Sequence, residues 1–251
     1  MKALTPRQAL EENPAWYHTL ELAPGVVTPG QIDHRRLASR LLPSDLKGRR
    51  ALDVATYDGF WAMELERRGA EVVAIDIDSF AEVDLPPLRR AEAEHRARAL
   101  GVQLGGRGFR LATGVLGSSA ERVRCSVYDL APEAIGGSVD FAFSADILIH
   151  LRDPVRALER VRAALTPGGT IRLMEPVSMR FSLLAPRRAV SHFAAHYSFY
   201  NWWYPNVAAV RAWLEAAGFV GIRMIGLHRP PSVPDMRAWH VSFEARCPPG
   251  S

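Results

Sequence analysis

RRALDVATYDGFWAMELERRGAEVVAIDI, residues 49–77, is the stretch that decides the fold. Within it, residues 49–54 predict a short strand, residues 60–69 an apolar-periodic helix ending at a glycine, and residues 71–77 a second buried strand. A strand, a helix and a strand in succession form a βαβ unit, whose two strands run parallel. The stretch therefore predicts an α/β fold built on a parallel sheet.

The same alternation continues along the rest of the chain. Further helices are predicted over 87–100, 107–117, 153–165 and 205–219, and further strands within 122–130 and 138–151 and over 170–176, 221–228 and 236–246. A TPGG turn is expected to end the helix over 153–165, and a proline-rich turn joins the two closing strands. The pattern predicts a seven-stranded, mostly parallel sheet with helices on both faces and an antiparallel last strand.

The chain divides into two predicted regions. Residues 1–48, interrupted by several proline and glycine pairs, predict an N-terminal helical extension that lies on the main domain as a lid. Residues 49–251 form the main domain. Within it, residues 177–204 are an aromatic insertion, which is expected to form a wall of an acceptor pocket.

Composition narrows the class of protein. The 251 residues, 48% of them hydrophobic, suffice for one large domain, and no apolar run is long enough for a membrane span. The N-terminus lacks the pattern of a signal peptide, and two distant cysteines fit a reducing cytoplasm. Of 31 basic residues only Lys2 and Lys47 are lysine, and the arginines are dispersed among acids, which argues against a nucleic-acid surface despite the net charge of +4.

The first strand-to-helix turn carries the first chemical signal. LDVATYDGFW (52–61) places Asp53 in the strand, small residues after it, and Gly59 at the helix start. Small side chains let a ligand approach the backbone, although an ordinary turn would look similar. The second strand ends in Asp76, at the distance expected of an acid that binds a ribose diol. Two such features on adjacent turns predict a nucleoside site.

These segments also resemble a known family. ALDVATYDGFW, VVAIDID, SVYDL, DFAFSADILIHLRDP, LTPGG and WYPNVAAVRAWLEAAGF occur in the order found in class I S-adenosylmethionine methyltransferases. The resemblance implies a Rossmann-like fold, S-adenosylmethionine as cofactor and S-adenosylhomocysteine as product. WYHTLELAPGVVTPG (16–30) and IHLRDP are similar to the branch that includes tRNA wobble-uridine carboxymethyltransferases and bacterial relatives acting on small molecules.

The resemblance implies a set of cofactor contacts. Ala55 and Tyr57 occupy positions where the family has glycine, so the loop is expected to be less open. The implied contacts are Asp53, Ala55, Thr56 and Gly59 in the loop, Asp76 and Ile77 at the ribose and adenine, Val127, Tyr128 and Asp129 at the adenine edge, Ser144 and Ala145 near the sulfonium, and Tyr17 from the extension.

One departure bears on the cofactor. The carboxymethyl branch has a tyrosine where this chain has Ile149, and that tyrosine helps to hold the extra carboxylate of the modified cofactor. Isoleucine cannot donate a hydrogen bond. The departure favours ordinary S-adenosylmethionine and methyl transfer.

Several side chains are candidates for a catalytic base. Glu175 ends the fifth strand, His150 follows the fourth, and His18 lies in the expected lid. His150 could instead fix its loop by hydrogen bonds, and His18 could be part of a packed extension. His192 and His196 have helical i,i+4 spacing, but no third ligand is evident, so no metal site is predicted.

The insertion predicts the acceptor's character. Its aromatic side chains suit a small acceptor that is apolar or aromatic in part, with His192, His196, Tyr200 and Trp203 lining the pocket. A satellite core or a dimer contact would account for the same pattern, and the chain could be a monomer or a homodimer.

Three functions remain open on the sequence. The first is methyl transfer to a small molecule, with the acceptor atom undetermined and a role in secondary metabolism. The second is a tRNA-modifying enzyme of the carboxymethyl type. The third is an inactive nucleoside-binding relative, which Ala55 and Tyr57 keep in view.

Overall fold

The computed structural model describes residues 4–102 and 104–250, and a single seven-stranded sheet organises them. Its strands are β1 Arg50–Val54, β2 Glu71–Asp76, β3 Glu121–Arg124, β4 Val139–Ala145, β5 Leu165–Val177, β6 Val220–His228 and β7 Trp239–Arg246. They lie in the order β6-β7-β5-β4-β1-β2-β3. The pairs among β1 to β5 are parallel, and β7 runs antiparallel to both β5 and β6. The predicted α/β fold is confirmed.

Strand β1 lies where the chain order reverses, with β4 on one side and β2 on the other. Leu52 pairs with Ala142 and Val73, and Val54 pairs with Ser144 and Ile75. In parallel sheets of this kind a ligand binds beyond the carboxyl ends of the strands at the reversal point. That point lies beyond Val54, next to the ends of β2 and β4.

Helices cover both faces of the sheet. They are α1 Pro6–Glu12, α2 Arg35–Leu41, α3 Phe60–Glu66, α4 Arg90–Ala99, α5 Arg107–Leu116, α6 Pro154–Ala164, α7 Met179–Leu184 and α8 Val207–Ala216. Alternate residues of each strand point to opposite faces, so Leu52 joins a core with α6 and α8 while Ala51 joins a core with α2, α3 and α5. Single turns of 3-10 helix cover Phe80–Glu82, Pro87–Arg89, Val127–Asp129, Pro132–Ile135, Leu148–His150 and Pro234–Met236.

The described part of the N-terminal extension packs into the second core. Trp16 and Ile32 are buried, and residues Glu21–Ala23 and Val26–Val27 form a small hairpin. Main-chain hydrogen bonds join the extension to the turn before β7, from Asp33 to Pro231 and from Val233 to Gln31. Through these contacts the extension packs as part of the same domain as the sheet.

The insertion contains α7 and a hairpin of Ser191–Phe193 with Trp203–Pro205. The helical arrangement expected for His192 and His196 is wrong. His192 lies in a strand, and His196 lies in the turn that follows it. The TPGG segment also differs from the expectation, since it is continuous with β5. Gly168 has a φ of +78° there, which glycine adopts without a steric penalty.

Candidate functional site

The loop from β1 to α3 has the backbone of a glycine-rich turn. Ala55, Tyr57 and Gly59 have φ values of +60°, +50° and +87°. A Cβ atom on Gly59 would lie 2.7 Å from the ring of Phe109, so this position requires glycine. The loop thus keeps the left-handed conformations that glycine favours although two of the three residues carry side chains.

Asp76 lies at the end of β2 and faces this loop. Its Oδ2 accepts a hydrogen bond from the backbone N–H of Tyr57 at 2.7 Å, and its Oδ1 accepts one from that of Ile77 at 2.8 Å. Burial raises the pKa of Asp76, and the two N–H donors oppose that shift. Each carboxylate oxygen has two lone pairs, so both retain the capacity to accept from a diol.

A cleft opens beside Asp76 and is bounded by the ends of β1, β2 and β3. It encloses about 520 Å³ when its open mouth is included. Six of the predicted site residues line it: Ala55, Asp76, Ile77, Val127, Tyr128 and His150. The Tyr128 hydroxyl donates to Asp84 at 2.7 Å, which fixes the ring at the cleft wall.

The adenine edge differs in one residue from the expectation. Asp129 is exposed and does not line the cleft, whereas Cys125 and Ser126 do. The Ser126 side chain accepts from the N–H of Tyr128 and begins the 3-10 turn over Val127–Asp129, which directs Asp129 outward. A serine that caps a turn after a strand was the available signal.

Two buried acceptors lie under the glycine-type loop. Asp53 and Thr56 are both buried, and among the described residues their Oδ2 and Oγ1 atoms have no hydrogen-bond partner apart from each other. Burial raises the pKa of Asp53 to about 7, although Thr56 and His18 oppose it. Unpartnered buried acceptors are costly, so they indicate a bound donor. At β4, Ser144 is buried and Ala145 partly buried.

A second group of polar side chains fills the space between the extension and the ends of β4 and β5. We call it the polar cluster, and its members are Tyr17, His18, His34, Asp58, Asp146, Glu175 and His240. Asp58 accepts from the backbone N–H groups of Tyr17 and His18 at 2.9 Å each, and it also contacts the His18 imidazole. This carboxylate therefore attaches the extension to the β1–α3 loop.

Asp146 is the member at the end of β4. His240 Nε2 lies 3.0 Å from Asp146 Oδ1, while the Tyr17 hydroxyl and His34 Nε2 lie 3.5 and 3.7 Å from Oδ2. Burial alone would raise the pKa of Asp146, but His240, His34 and His18 lower it to about 2. Asp146 has a φ of +58°, an uncommon conformation for a residue with a side chain.

Glu175 lies behind Asp146 and is fully buried. Its Oε1 accepts from the N–H groups of Ile147 and Leu148 at 3.2 and 3.1 Å, and its Oε2 has no partner within the protein. Burial, with the Asp146 charge, raises the pKa of Glu175 to about 8. Glu175 thus holds the backbone that follows Asp146.

His150 lines the cleft, and it also contacts the insertion. His150 Nδ1 lies 3.0 Å from the Tyr200 carbonyl, and burial lowers the pKa of His150. The Trp202 indole donates to the Asp84 carbonyl at 2.6 Å. Of the four predicted acceptor-pocket residues, His192, His196, Tyr200 and Trp203, none is among the residues that line the cleft.

Sequence reasoning missed four members of the polar cluster: His34, Asp58, Asp146 and His240. Asp146 directly follows the fourth strand, which was an available signal. His34 and His240 lie far apart in the sequence and come together only because the extension packs on β7. No spacing rule connects them.

Two searches of residues 4–102 and 104–250 complete the description. No group of three or more histidine, cysteine or acidic side chains there is arranged to hold a metal ion. In the same residues, no helix has both the length and the apolar character needed to cross a bilayer.

Comparison with known families gives a match over most of the chain. A family model described as a methyltransferase domain matches residues 31–223. The tRNA U34 carboxymethyltransferase of Azotobacter vinelandii is 29% identical over 198 residues, which cover 77% of this chain and 52% of that protein. The corresponding protein of Pseudomonas fluorescens is 26% identical over 191 residues, covering 74% of this chain and 51% of that protein. The chain spans about half the length of these curated relatives.

Solved structures share the fold at lower identity. The N-terminal domain of EvdMO1, crystallised in the presence of SAH and D-fucose, has a TM-score of 0.59 at 18% identity and covers 96% of this chain and 95% of its own. An S-adenosylmethionine dependent methyltransferase from Mesorhizobium loti has a TM-score of 0.51 at 16% identity, covering 85% and 97%. Likeness at this level of identity establishes a common fold.

Proposed function

Because the chain belongs to the methyltransferase domain family, as its sequence predicted, we propose that it transfers the methyl group of S-adenosylmethionine to a small-molecule acceptor. The cofactor supplies a methyl group already activated by a positively charged sulfur. The protein therefore has to bind the cofactor, align the acceptor with it and exclude water. Effective alignment can supply about 7 kcal/mol or more of the barrier reduction.

The cleft suits the nucleoside half of the cofactor. Asp76 would accept from the ribose hydroxyls, and Ile77, Val127 and Tyr128 would enclose the adenine. The unpartnered oxygens of Asp53 and Thr56 would receive the donors of the amino-acid half. S-Adenosylhomocysteine, the product, would occupy the same contacts.

The observation that carries the small-molecule proposal is the enclosure of the polar cluster. His18 and His34 of the extension and His240 of β7 are each less than 5% exposed. A site whose side chains are buried to this degree accommodates a small molecule more readily than a base of a folded RNA. Such a base has to be extruded from the RNA before it can enter a pocket. The dispersed arginines are consistent with that choice. The free cysteines, Cys125 and Cys247, suit a cytoplasmic enzyme.

A second candidate is transfer to a wobble uridine of tRNA, because the curated relatives described above carry that name. Against it stands Ile149, whose side chain is 5% exposed and offers no hydrogen-bond donor for a carboxylated cofactor. Its backbone carbonyl accepts from the N–H of Trp202 at 2.8 Å.

Calorimetric titration with S-adenosylmethionine, its carboxy derivative and S-adenosylhomocysteine tests these candidates. We expect binding of the first and third and no preference for the carboxy form. Release of S-adenosylhomocysteine is then measured with a panel of small acceptors and with unmodified tRNA. A strong preference for the carboxy form together with turnover on tRNA would instead support the second candidate, transfer to a wobble uridine of tRNA.

A further inference from the structure

Asp146 presents a carboxylate oxygen that the protein leaves under-used. Oδ2 accepts a long hydrogen bond from the Tyr17 hydroxyl at 3.5 Å, and His34 Nε2 lies 3.7 Å from it. Hydrogen bonds from charged donors to a carboxylate are shorter, about 2.7–2.9 Å. The Asp146 side chain is 8% exposed, and the hydrogen bond that this oxygen accepts from Tyr17 is long.

The surroundings of Asp146 favour a cation over an anion. Within the described residues, no arginine or lysine forms an ion pair with Asp53, Asp58, Asp146 or Glu175. The basic side chains described there are histidines: His240 faces the Ala238 carbonyl through Nδ1 and Asp146 through Nε2, and His18 contacts Asp58. A carboxylate or phosphate acceptor would face the ionised Asp146 with no guanidinium to offset it, which makes its binding unfavourable.

The rings next to Asp146 are suited to the same kind of ligand. The Tyr17 ring lies 4.7 Å from that of His18 and 5.5 Å from that of Tyr57. The faces of aromatic rings attract ammonium groups. A positively charged nitrogen could therefore lie against Tyr17 while donating to Asp146.

We propose that Asp146 and Tyr17 bind the reacting nitrogen of the acceptor, and that the acceptor is a primary or secondary amine. This inference rests on the proposed methyl transfer and specifies its acceptor class. The position of Asp146 directly after β4 supports it, since ligands of such sheets bind beyond the carboxyl ends of the strands. Its left-handed backbone, held by Glu175 through the next two N–H groups, fixes the direction of the carboxylate.

The reaction balances with an amine. The bound ammonium loses one proton to solvent, and its lone pair forms a C–N bond as the C–S bond breaks and gives its electron pair to sulfur. Positive charge thereby passes from sulfur to nitrogen, and a fixed carboxylate beside the nitrogen stabilises that charge as it develops. Asp146 acts by electrostatics and orientation, and it does not need to take the proton.

The test uses two analogues of S-adenosylhomocysteine in which nitrogen replaces sulfur and carries either a 2-aminoethyl or a 2-hydroxyethyl arm. The arms differ only in an ammonium and a hydroxyl at the acceptor position. We expect the wild-type protein to bind the aminoethyl analogue at least tenfold more tightly. In Asp146→Asn the preference should fall below threefold, while the affinity for S-adenosylhomocysteine stays within threefold of wild type.

Asp140→Asn is the matched control, because Asp140 lies near the other end of β4 and accepts from the Arg50 backbone N–H at 3.0 Å. It should keep the tenfold preference. Equal binding of the two arms by the wild-type protein would overturn the inference without requiring any variant to fold. A parallel loss of S-adenosylhomocysteine affinity in Asp146→Asn would overturn it too, since Asp146 would then serve the cofactor. Failure of wild type to bind S-adenosylhomocysteine would instead overturn the proposed function.

Discussion

At the scale of single residues, the acids at the strand ends have opposite protonation behaviour. Asp146 is held ionised by histidines, with its pKa lowered to about 2, whereas burial raises the pKa of Glu175 to about 8. The two flank Ile147, and the ionised member faces the open side of the site. Neighbouring carboxyls whose pKa values are driven apart are typical of functional sites.

The ribose contact gives a prediction at this scale. Asp76→Ala removes the acceptor for the diol and for the Tyr57 N–H, so we expect at least a tenfold loss of S-adenosylmethionine affinity, about 1.4 kcal/mol. Calorimetry measures it, with Glu71→Ala at the exposed start of the same strand as control. If the affinity of Asp76→Ala for S-adenosylmethionine equals that of wild type, the assignment of Asp76 to the ribose is wrong.

Glu175 gives a second prediction, which concerns how the free energy of unfolding changes with pH. Its pKa is raised from 4.5 to about 8 in the folded protein, so the stability it contributes is complete below about pH 4.5 and is lost as the pH rises through 8. The loss amounts to at most about 1.4 kcal/mol per pH unit over that window. Thermal melts from pH 5 to 9 should show a flatter decline in Glu175→Gln than in wild type. Parallel curves for the two proteins would contradict the raised pKa.

At the scale of elements, the β1–α3 loop shows that a backbone conformation can persist without its usual residues. Ala55 and Tyr57 adopt positive φ values that cost roughly 1–2 kcal/mol for a residue with a side chain. The loop closes through Thr56, whose N–H donates to Ile75, and Gly59, whose N–H donates to Thr56. Ala55 and Tyr57, the residues that suggested an inactive relative, therefore still adopt the left-handed conformations that glycine favours.

This loop also gives a prediction. Ala55→Gly relieves the left-handed strain but makes the unfolded chain more flexible, so we expect the free energy of unfolding to stay level or to rise by up to about 1 kcal/mol. The same substitution at Ala51, buried within β1, should lower it by about 1 kcal/mol. Urea denaturation of both variants makes the comparison. Equal losses at the two positions would show that Ala55 is not strained.

At the scale of the whole molecule, the extension and the main domain share one core. Trp16 and Ile32 are each 1% exposed, and Trp16 packs in one core with side chains of α3 and the sheet. The extension also supplies Tyr17, His18 and His34 to the polar cluster. A loosely attached lid would not be buried to this degree. Assembly of the site and folding of the domain are therefore coupled.

That coupling can be measured. Trp16→Ala should lower the free energy of unfolding by about 3–5 kcal/mol, the usual range for truncation of a buried tryptophan. Val27→Ala, at an exposed position of the same extension, should change it by no more than about 0.5 kcal/mol. Similar small effects in both variants would indicate a lid that moves independently of the core.

The sequence by itself determined the sheet, the position of the cleft at its carboxyl edge and the family, because these depend on local signals. Hydrophobic periodicity placed each strand, and Asp76 and the loop after β1 follow their strands directly. Only the tertiary structure decided the make-up of the polar cluster, which we propose as the acceptor side of the site. His34, Asp58, Asp146 and His240 come from four separate segments, and they meet because the extension packs across the ends of β4, β5 and β7. Contacts between distant segments leave no periodic trace in a sequence, since they depend on how whole faces pack together.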